Sequence, residues 1–359
     1  MKVEWETRPF EECIEKVTYT SKIQRKDFLR EGVFPIVSQE ESFVNGFWDD
    51  EADLFKVAFP VVVFGDHTKV LKYIDFDFVL GADGVKVLQP KPFLLPKYFY
   101  YHLQTANLDS LGYARHYKLL KELKIAYPAK PEQKRIVTLL DEAFAHISTA
   151  KANAEQNLQN ARAVFDSHLQ SAFSQRGDGW VMSTLDRLAA NLDNRRRPIT
   201  KSDRSSGEYP YYGASGIVDY VAEYIFDEDA LLVSEDGANL LARSTPIAFS
   251  ASGKYWVNNH AHILKFEDQA THQYVEFYLN SIPLDEFITG AAQPKLNQRF
   301  LNLIPIPIPK ATSVRAKIVD GLKALSTETQ RLESIYQQKL SALDALKKSL
   351  LHQAFSGQL

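Results

Sequence analysis

Cysteine is almost absent from this chain. Among its 359 residues, only Cys13 carries a thiol. A single cysteine cannot form a disulfide within the chain, which excludes a disulfide-stabilised fold, and it cannot supply a thiolate metal cluster. This cysteine usage is typical of a protein kept in a reducing compartment.

Long apolar runs are absent as well. No stretch approaches the ~20 residues that a membrane-spanning helix needs. The first residues, Met1-Lys2-Val3-Glu4-Trp5, contain no apolar signal region. We therefore expect a cytoplasmic protein without a membrane partner.

Motifs for catalysis and cofactor binding are also missing. The sequence has no Asn-Pro-Pro-aromatic or Asp-Pro-Pro-Tyr motif for base methylation, no glycine-rich cofactor turn after a strand and no phosphate loop. His260 and His262 would share one face of a strand, but no further ligands lie near them, which favours hydrogen-bonded histidines over a metal site. We expect no catalytic residue, no cofactor and no metal.

Neither sign of charge is in large excess, since 42 Lys and Arg stand against 45 Asp and Glu, for a net charge of -3. The net charge does not exclude a local basic patch, the usual footprint of a nucleic-acid-binding protein. Two basic stretches occupy matching positions in the two halves of the chain and are candidate phosphate contacts, with a solvated loop as the alternative. They comprise Lys22, Arg25 and Lys26 in the first half, and Arg195, Arg196, Arg197, Lys201 and Arg204 in the second.

The most informative feature present is an internal repeat. Two long helical stretches align without a gap over about 40 residues, with Ile136 on Ile318 and Phe173 on Phe355, an offset of 355 − 173 = 182. Trp5 and Trp180 open the two halves. The repeat divides the chain into a first globular domain (1–129), a first helix (130–175), a second globular domain (176–312) and a second helix (313–359).

Each globular part has the pattern of a mixed α/β (α+β) domain. Short β-branched and aromatic runs bounded by Gly, Asp and Pro predict strands, as in 57–64, 76–80, 230–233 and 262–266. Residues 97–103 and 273–279 predict matching helices. The alternating Ile and Pro of 305–309 exclude a helix or a central strand, because proline lacks the backbone donor, and they predict an extended connector.

The two long helices carry apolar seams. The first, predicted from Glu132 to Ser174, is rich in Ala along its heptad seam, and the second, from Val314 to Phe355, is rich in Leu. Small residues facing large ones favour pairing of the two helices within the chain, with homodimerisation as the alternative. Antiparallel pairing predicts an approximate twofold axis and two globules separated by a long coiled coil. Two globules held at a fixed distance suit a DNA target made of two separated half-sites.

The ordered, duplicated set of segments resembles the specificity subunit of Type I restriction–modification systems. In that family each globule is a target recognition domain that reads half of a bipartite sequence in double-stranded DNA. The resemblance also implies partners: modification (methyltransferase) subunits docked on the helices, expected as two copies, and ATP-dependent restriction subunits. The segments that carry it are Pro131-Glu132-Gln133-Lys134-Arg135-Ile136, Tyr209 to Gly216, Trp256 to His262, and Gln353-Ala354-Phe355-Ser356-Gly357.

Base reading requires Arg, Lys, Asn, Gln or Ser side chains in the major groove. Candidates lie in polar or glycine-rich loops of both halves. They are Ser38, Gln39, Lys69, Arg115, His116 and Lys118 in the first half, and Tyr212, Ser215, Arg243, Lys254, Gln293 and Lys295 in the second. Two other interpretations remain open: a specificity subunit of a system in which methylase and nuclease share one chain, and a two-headed scaffold that binds proteins.

Overall fold

The computed structural model describes residues 4–82, 84–106, 108, 115–175, 177–290 and 292–359. The chain forms two compact units. Unit 1 comprises Met1–Glu155 and Gln337–Leu359, and unit 2 comprises Gln156–Tyr336. Each long helix therefore contributes one part to each unit.

Unit 1 contains three small sheets. Their strand orders are β1-β11, β2-β10-β7-β8 and β3-β9-β4-β5, with β6 added on β9. The strands are β1 (Trp5–Pro9), β2 (Ile14–Glu15), β3 (Lys22–Ile23), β4 (Phe34–Val37), β5 (Gly46–Trp48), β6 (Leu54–Phe55), β7 (Val61–Gly65), β8 (Leu71–Ile74), β9 (Phe78–Gly81), β10 (Val85–Pro90) and β11 (Lys124–Pro128), and the helices are α1 (Pro96–Gln104), α2 (Tyr117–Lys121) and α3 (Lys130–Ser174).

Strand β7 lies at the centre of unit 1. It begins only after Pro60, and all five of its residues are buried. Val62 and Phe64 face the cluster around α1, whereas Val61 and Val63 face the cluster formed with β9. A strand that is covered on both faces requires a continuous apolar run, which explains its Val-Val-Val-Phe sequence.

Unit 2 repeats this topology except that strand β3 of unit 1 has no counterpart among its strands. Its sheets have the orders β12-β21, β13-β20-β17-β18 and β15-β14-β19-β16, so the duplicated α/β fold class is confirmed. Its strands are β12 (Trp180–Thr184), β13 (Ala189–Asn191), β14 (Ser206–Gly213), β15 (Gly216–Val221), β16 (Phe226–Asp227), β17 (Ala230–Ser234), β18 (Ala248–Ala251), β19 (Lys254–Val257), β20 (Ala261–Phe266) and β21 (Pro305–Pro309), and its helices are α4 (Leu185–Leu188), α5 (Asn239–Ala242), α6 (Gln269–Ser281), α7 (Gln298–Leu303) and α8 (Thr312–Phe355).

The proline-rich segment 305–309 is a strand and not only a connector. It pairs with β12 along one edge, with prolines opposite Trp180, Met182 and Thr184. Because β21 has a partner on one side only, its prolines can occupy positions whose missing N–H would point away from β12. Their carbonyls accept from helix α6 instead, since Tyr274 Oη donates to Pro307 O at 2.6 Å.

The long helices pair antiparallel within each unit. In unit 1, Ile136 and Leu140 near the start of α3 share a buried cluster with Leu351 and Ala354 near the end of α8. In unit 2, Arg162 Nε lies 2.6 Å from Glu333 Oε1, and Phe173 clusters with residues from the start of α8. The predicted antiparallel pairing is thus confirmed within each unit. Among the residues the structure describes, no helix is both long and apolar enough to cross a membrane.

Gln133 joins the start of α3 to unit 1. Its side chain is fully buried and accepts from Leu95 N at 2.8 Å. It also donates to Phe93 O and Pro128 O, both at 2.9 Å. At the repeat offset of 182, its counterpart is Arg315, which donates to Pro309 O at 2.7 Å. Two different side chains therefore make the same connection between a strand carbonyl and a helix start.

We expect Gln133→Ala to lower the free energy of unfolding of unit 1 by about 2–4 kcal/mol, because the substitution leaves one buried N–H and two carbonyls without partners. Urea denaturation together with hydrogen exchange of residues 93–95 measures the effect. Gln337→Ala is the matched control, an exposed glutamine on the part of α8 that belongs to unit 1, and should change stability by less than about 0.5 kcal/mol. Equal losses in the two variants would contradict this role for Gln133.

Candidate nucleic-acid interface

Four loops of unit 1 meet at one edge of its sheets. They are the β4–β5 loop (38–45), the β7–β8 loop (66–70), the described part of the β9–β10 loop (82 and 84) and the segment before α2 (115–116). Asp66 N donates to Gly84 O at 2.7 Å, and His116 N donates to Asp66 O at 2.7 Å. Gln39 Oε1 accepts from His67 N at 3.2 Å. These loops are called loop cluster 1.

Unit 2 has an equivalent arrangement. The turn 214–215, the segment after β17 (235–238), the β19–β20 loop (258–260) and the segment before α7 (289–290 and 292–297) meet through hydrogen bonds. Ser234 Oγ, at the end of β17, donates to Ala214 O of the turn. Glu235 N donates to His260 O at 2.8 Å, and Leu296 N donates to Glu235 O at 2.8 Å. These loops are called loop cluster 2.

The backbone bonds relate the two clusters residue by residue. The His116 N to Asp66 O bond corresponds to the Leu296 N to Glu235 O bond. The residue before each donor is a cation, so Arg115 is the structural counterpart of Lys295. Similarity of sequence instead places Lys118 beside Lys295, three residues away. The sequence could not show the correct equivalence, because the segments that precede α2 and α7 differ in length.

Loop cluster 1 brings together most of the predicted first-half residues. Gln39, Lys69 and Arg115 lie in its loops, with Arg115 exposed. Ser38 and His116 are also there, but both are buried and bonded internally. Their positions suit shaping the loops more than touching a ligand.

The basic residues of the first half border loop cluster 1. Lys22 Nζ donates to Val85 O at 3.1 Å, and Arg25 pairs with Glu40 of the β4–β5 loop. Lys26 and Lys118 are exposed, on the 3₁₀ turn 25–27 and on α2 respectively. These four basic side chains give the border a positive charge, which Glu40 neutralises only at Arg25, and such an arrangement is suited to contacting phosphates.

Loop cluster 2 contains Ser215, Gln293 and Lys295, and Arg196 from outside the cluster donates to its Glu235. Ser215 and Gln293 are exposed, and the Lys295 side chain is 50% exposed. Tyr212 lies below the cluster, with its ring against Phe249 and Tyr255 at centroid distances of 6.0 and 5.7 Å. It contributes packing to the site rather than an open hydroxyl.

The remaining predicted residues of unit 2 lie away from loop cluster 2. Arg197, Lys201 and Arg204 follow one another on the segment before β14, where Arg204 lies 4.3 Å above the Tyr211 ring and 3.1 Å from Asp219. Strand β19 begins at Lys254 and ends at the cluster, so Lys254 lies at the opposite end of the sheet, over the Tyr224 ring at 4.7 Å.

Arg195 and Arg243 are committed to other internal contacts. Arg195 pairs with Glu228 at 2.6 Å, and Glu228 N is bonded to Gly253 O next to Lys254. Arg243 donates to the carbonyls of Leu279 and Ile282 at the end of α6. Cations are favoured at helix C-termini, which accounts for Arg243 without any ligand.

A buried network of charges supports loop cluster 2. Glu235 accepts from Arg196 at 2.6 Å and lies 3.1 Å from Lys295 Nζ. His262, only 1% exposed, places Nδ1 2.6 Å from Asp193 Oδ2 and Nε2 2.7 Å from Leu296 O. Both ring nitrogens face oxygen atoms. Sequence reasoning missed the network, because Asp193 and His262 are 69 positions apart.

The pKa of both carboxyls is lowered in this network. For Asp193, burial acts to raise the pKa, but the hydrogen bond and electrostatic attraction of His262, the bond from Ile263 N and the charge of Arg196 outweigh it. For Glu235, burial is again opposed, here by the hydrogen bond from Arg196 and by His262 and Lys295. Both groups are therefore held as carboxylates.

Asp193, Glu235 and His262 are also close enough to ligate one cation, with ligand atoms within 4.8 Å of one another. Their ligand atoms are occupied by Arg196, Lys295 and backbone groups, however. A metal ion would have to displace two cationic side chains. The geometry fits a structural charge network, and His260 is engaged separately with Asp236 at 2.8 Å.

A family model described as the Type I restriction modification DNA specificity domain matches residues 2–159 and 177–341 of this chain. A putative type I restriction enzyme specificity subunit of Haemophilus influenzae is 37% identical over 181 residues, 46% of each chain. The type I restriction enzyme EcoR124I/EcoR124II specificity subunit of Escherichia coli is 27% identical over 151 residues, 38% of this chain and 37% of the relative. The matches thus span less than half of each curated relative.

Solved structures show the same fold over the whole chain. One similar chain comes from a structure described as the structural basis of complex assembly and conformational transition of the type I R-M system. Its TM-score is 0.73 at 13% identity, and the alignment covers 100% of both chains. The HsdS subunit from Thermoanaerobacter tengcongensis has a TM-score of 0.58 at 13% identity, with 99% of this chain and 97% of that chain covered. At these identities the likeness concerns the fold.

Proposed function

This chain belongs to the Type I restriction modification DNA specificity family, and we propose that it is the subunit through which a Type I restriction–modification complex recognises its DNA target. The observation that carries the proposal is the pair of equivalent loop clusters. Each is built on the same sheet topology, at the same edge, and each exposes different polar side chains. A duplicated scaffold with two different reading surfaces suits two unlike half-sites in one double-stranded DNA target.

The loop between β4 and β5 differs in length from its counterpart between β14 and β15. In cluster 1 it spans 38–45, between β4 and β5, whereas in cluster 2 the equivalent β14–β15 connection is the two-residue turn 214–215. Exposed residues such as Glu41 and Arg115 in cluster 1, and Asn259 and Lys295 in cluster 2, offer different donors and acceptors to base edges. The two units would therefore read different sequences, and the complete target would be asymmetric.

Phosphate contacts position a protein on DNA, and base contacts specify the sequence. We assign the first role to the exposed cations that border the loops, and the second to the loops themselves. In unit 1 these are Lys22, Lys26 and Lys118, which border loop cluster 1. In unit 2, the exposed Arg197 and Lys201 lie away from loop cluster 2, on the segment before β14, and would contact phosphates beyond the loops. This interface does not include Arg195 and Arg243, which bind Glu228 and the end of α6, or Lys254, which lies at the opposite end of the sheet.

Helices α3 and α8 would set the spacing between the half-sites and dock the modification subunits, two in the expected assembly. Exposed apolar side chains at Val164, Ile335 and Leu346 support docking on these helices. Methyl transfer, cleavage and ATP-driven translocation would reside in the modification and restriction subunits. A protein-binding scaffold is the weaker alternative, because the matching family model is a DNA specificity domain.

Co-expression tests this function. With a methyltransferase of the Asn-Pro-Pro-aromatic type, the chain should co-purify with the enzyme and direct adenine methylation to one bipartite sequence, mapped by sequencing of host DNA. Methyltransferase expressed alone is the control and should leave that sequence unmodified. Failure to co-purify, or methylation that is identical without the chain, would refute the function.

Lys295→Ala is expected to weaken specific DNA binding by about 1–3 kcal/mol and to relax the sequence requirement within one half-site, if its ammonium bonds a base edge. Fluorescence anisotropy with target and scrambled duplexes at fixed salt measures this change. Lys254→Ala is the matched control, an exposed lysine of the same unit at the opposite end of the sheet, and should leave binding unchanged. If the two variants behave alike, loop cluster 2 is not the reading surface.

A further inference from the structure

Lys72 is a buried lysine that neither the phosphate contacts nor the base contacts proposed above include. It lies on β8 directly opposite Val63 of β7 and is only 3% exposed. Its ammonium points toward the β4–β5 loop. It donates to Ser38 O at 2.9 Å, to Ser42 O at 2.5 Å and to Asn45 Oδ1 at 3.1 Å. A fourth oxygen, Phe43 O, lies 3.5 Å away, so oxygens of this one loop satisfy all three protons of the ammonium.

The bonds made by Lys72 close the loop on itself. Ser38 and Asn45 are its two ends, and Asn45 Oδ1 also accepts from Ser38 N at 2.9 Å. Asn45 Nδ2 donates to Glu40 Oε2 at 3.3 Å. The residues between the ends are thereby held in one conformation, while Glu41 and Phe43 point outward as exposed side chains.

A buried ammonium is costly in this position. Within the described part of the chain, no carboxylate forms an ion pair with Lys72, so its desolvation is offset only by neutral oxygens and by the more distant charge of Glu40. Burial lowers the pKa of Lys72 to about 8, and Glu40 acts in the opposite direction. At neutral pH the amine therefore remains mainly protonated and keeps its three donors.

The second unit shows that the strand pair itself does not need a lysine. Val63 pairs with Lys72 in unit 1, and the equivalent pair in unit 2 is Leu232 with Phe249. Phe249 packs against the Tyr212 ring, beside the two-residue turn. A lysine occupies this position only in the unit that carries the long loop. The free-energy cost of burying its ammonium is therefore associated with holding that loop and not with pairing the strands.

We infer that Lys72 is a positioning residue for DNA recognition by unit 1: its ammonium preforms the 38–45 loop so that the exposed side chains of this loop read one half-site. This inference rests on the proposed function. Preorganisation lowers the entropy that a loop loses on binding, and it fixes which donors and acceptors face the bases. Loss of the ammonium should therefore alter specificity at one half-site and leave the other unchanged.

Three variants separate this role from simple packing. Lys72→Met keeps the length of the side chain and removes its donors. Lys72→Arg keeps a cation with five N–H donors. Val63→Ala removes buried apolar volume directly opposite on β7 without touching the loop. Each is assayed in the full chain co-expressed with the methyltransferase, by hydrogen exchange of 38–45 and by mapping of methylated sequences.

In Lys72→Met, we expect amide exchange within 38–45 to accelerate about tenfold or more, and discrimination at one half-site to fall about tenfold. Lys72→Arg should restore most of both properties. Val63→Ala should leave the exchange of 38–45 and the methylated sequence close to those of the wild type.

The inference is overturned if methionine and arginine at position 72 behave alike, or if exchange accelerates while both half-sites are read as before. It is also overturned if Val63→Ala produces the same change of specificity. A wild-type chain that directs no sequence-specific methylation would instead refute the proposed function and the recognition role with it, whereas the exchange data would still decide whether Lys72 holds the loop.

Discussion

Insertion of a matched four-residue step into both α3 and α8 is expected to move methylation from the natural target to a site whose spacer is about two base pairs longer. Four helical residues add about 6 Å, and one base pair adds about 3.4 Å along the duplex. The α3 and α8 segments must be extended together, because they pair antiparallel through ion pairs such as Arg162–Glu333 and Lys151–Asp344.

Four residues are close to one helical turn, so the apolar seam keeps nearly the same face. Mapping of methylated adenines measures the spacer directly. The same insertion in α3 alone is the control, and it should abolish methylation because the seam of α3 then loses its register with α8. An unchanged spacer in a folded double-insertion variant would show that the helices do not set it.

Asp193→Ala is expected to have the largest effect on stability, lowering the free energy of unfolding of unit 2 by about 3–5 kcal/mol, the cost of breaking a buried ion pair from one side. The substitution leaves His262 without the partner of its Nδ1 and removes the acceptor of Ile263 N. It also removes one of two carboxylates that compensate Arg196.

Thermal and urea denaturation measure this loss. The matched control is Asp219→Ala in the same unit, where Asp219 meets Arg204 as a partly exposed pair. Exposed pairs contribute about 0–1 kcal/mol, so the control should be nearly neutral. Similar losses in both variants would show that the network beneath loop cluster 2 is not a principal source of stability.

The same network predicts the acid sensitivity of unit 2. The pKa values of Asp193 and Glu235 are lowered from their usual 3.8 and 4.5. The unfolded chain therefore binds more protons than the native state in the acid range, and stability rises with pH there. The contribution is present above the usual pKa values and is lost as the pH falls through the lowered ones, so the pH dependence should be shallower in Asp193→Ala.

Local patterns in the sequence were sufficient to predict the large-scale organisation of the chain. Apolar residues at heptad spacing predicted two long helices, and the structure places them at Lys130–Ser174 and Thr312–Phe355. The constant offset of 182 predicted a duplicated domain, and the two units share one sheet topology apart from the added strand β3 of unit 1. Both signals are readable in sequence because helix periodicity and duplication are properties of residues in order along the chain.

The pairing of proline-rich β21 was not apparent from sequence. Proline argues against strand pairing in general, but an edge strand tolerates it when the missing donors face away from the partner. Only the neighbouring strand β12 and the tyrosines of α6 reveal which side of 305–309 is paired. The rule that excluded a central strand was correct, and the location at an edge required tertiary structure.

The sequence by itself predicted the duplicated α/β fold and the two long helices, because these follow from local periodicity and from similarity between the halves, whereas the family followed from the resemblance of its ordered segments to known specificity subunits. Only the tertiary structure decided which polar residues form the two loop clusters. Lys72 meets Ser38 across 34 positions, and Asp193 meets His262 across 69. Such contacts depend on the order and register in which strands pair. Side chains of one residue type can therefore hold a loop in place, bind a helix C-terminus or stay exposed for contact with DNA, depending on their place in the fold.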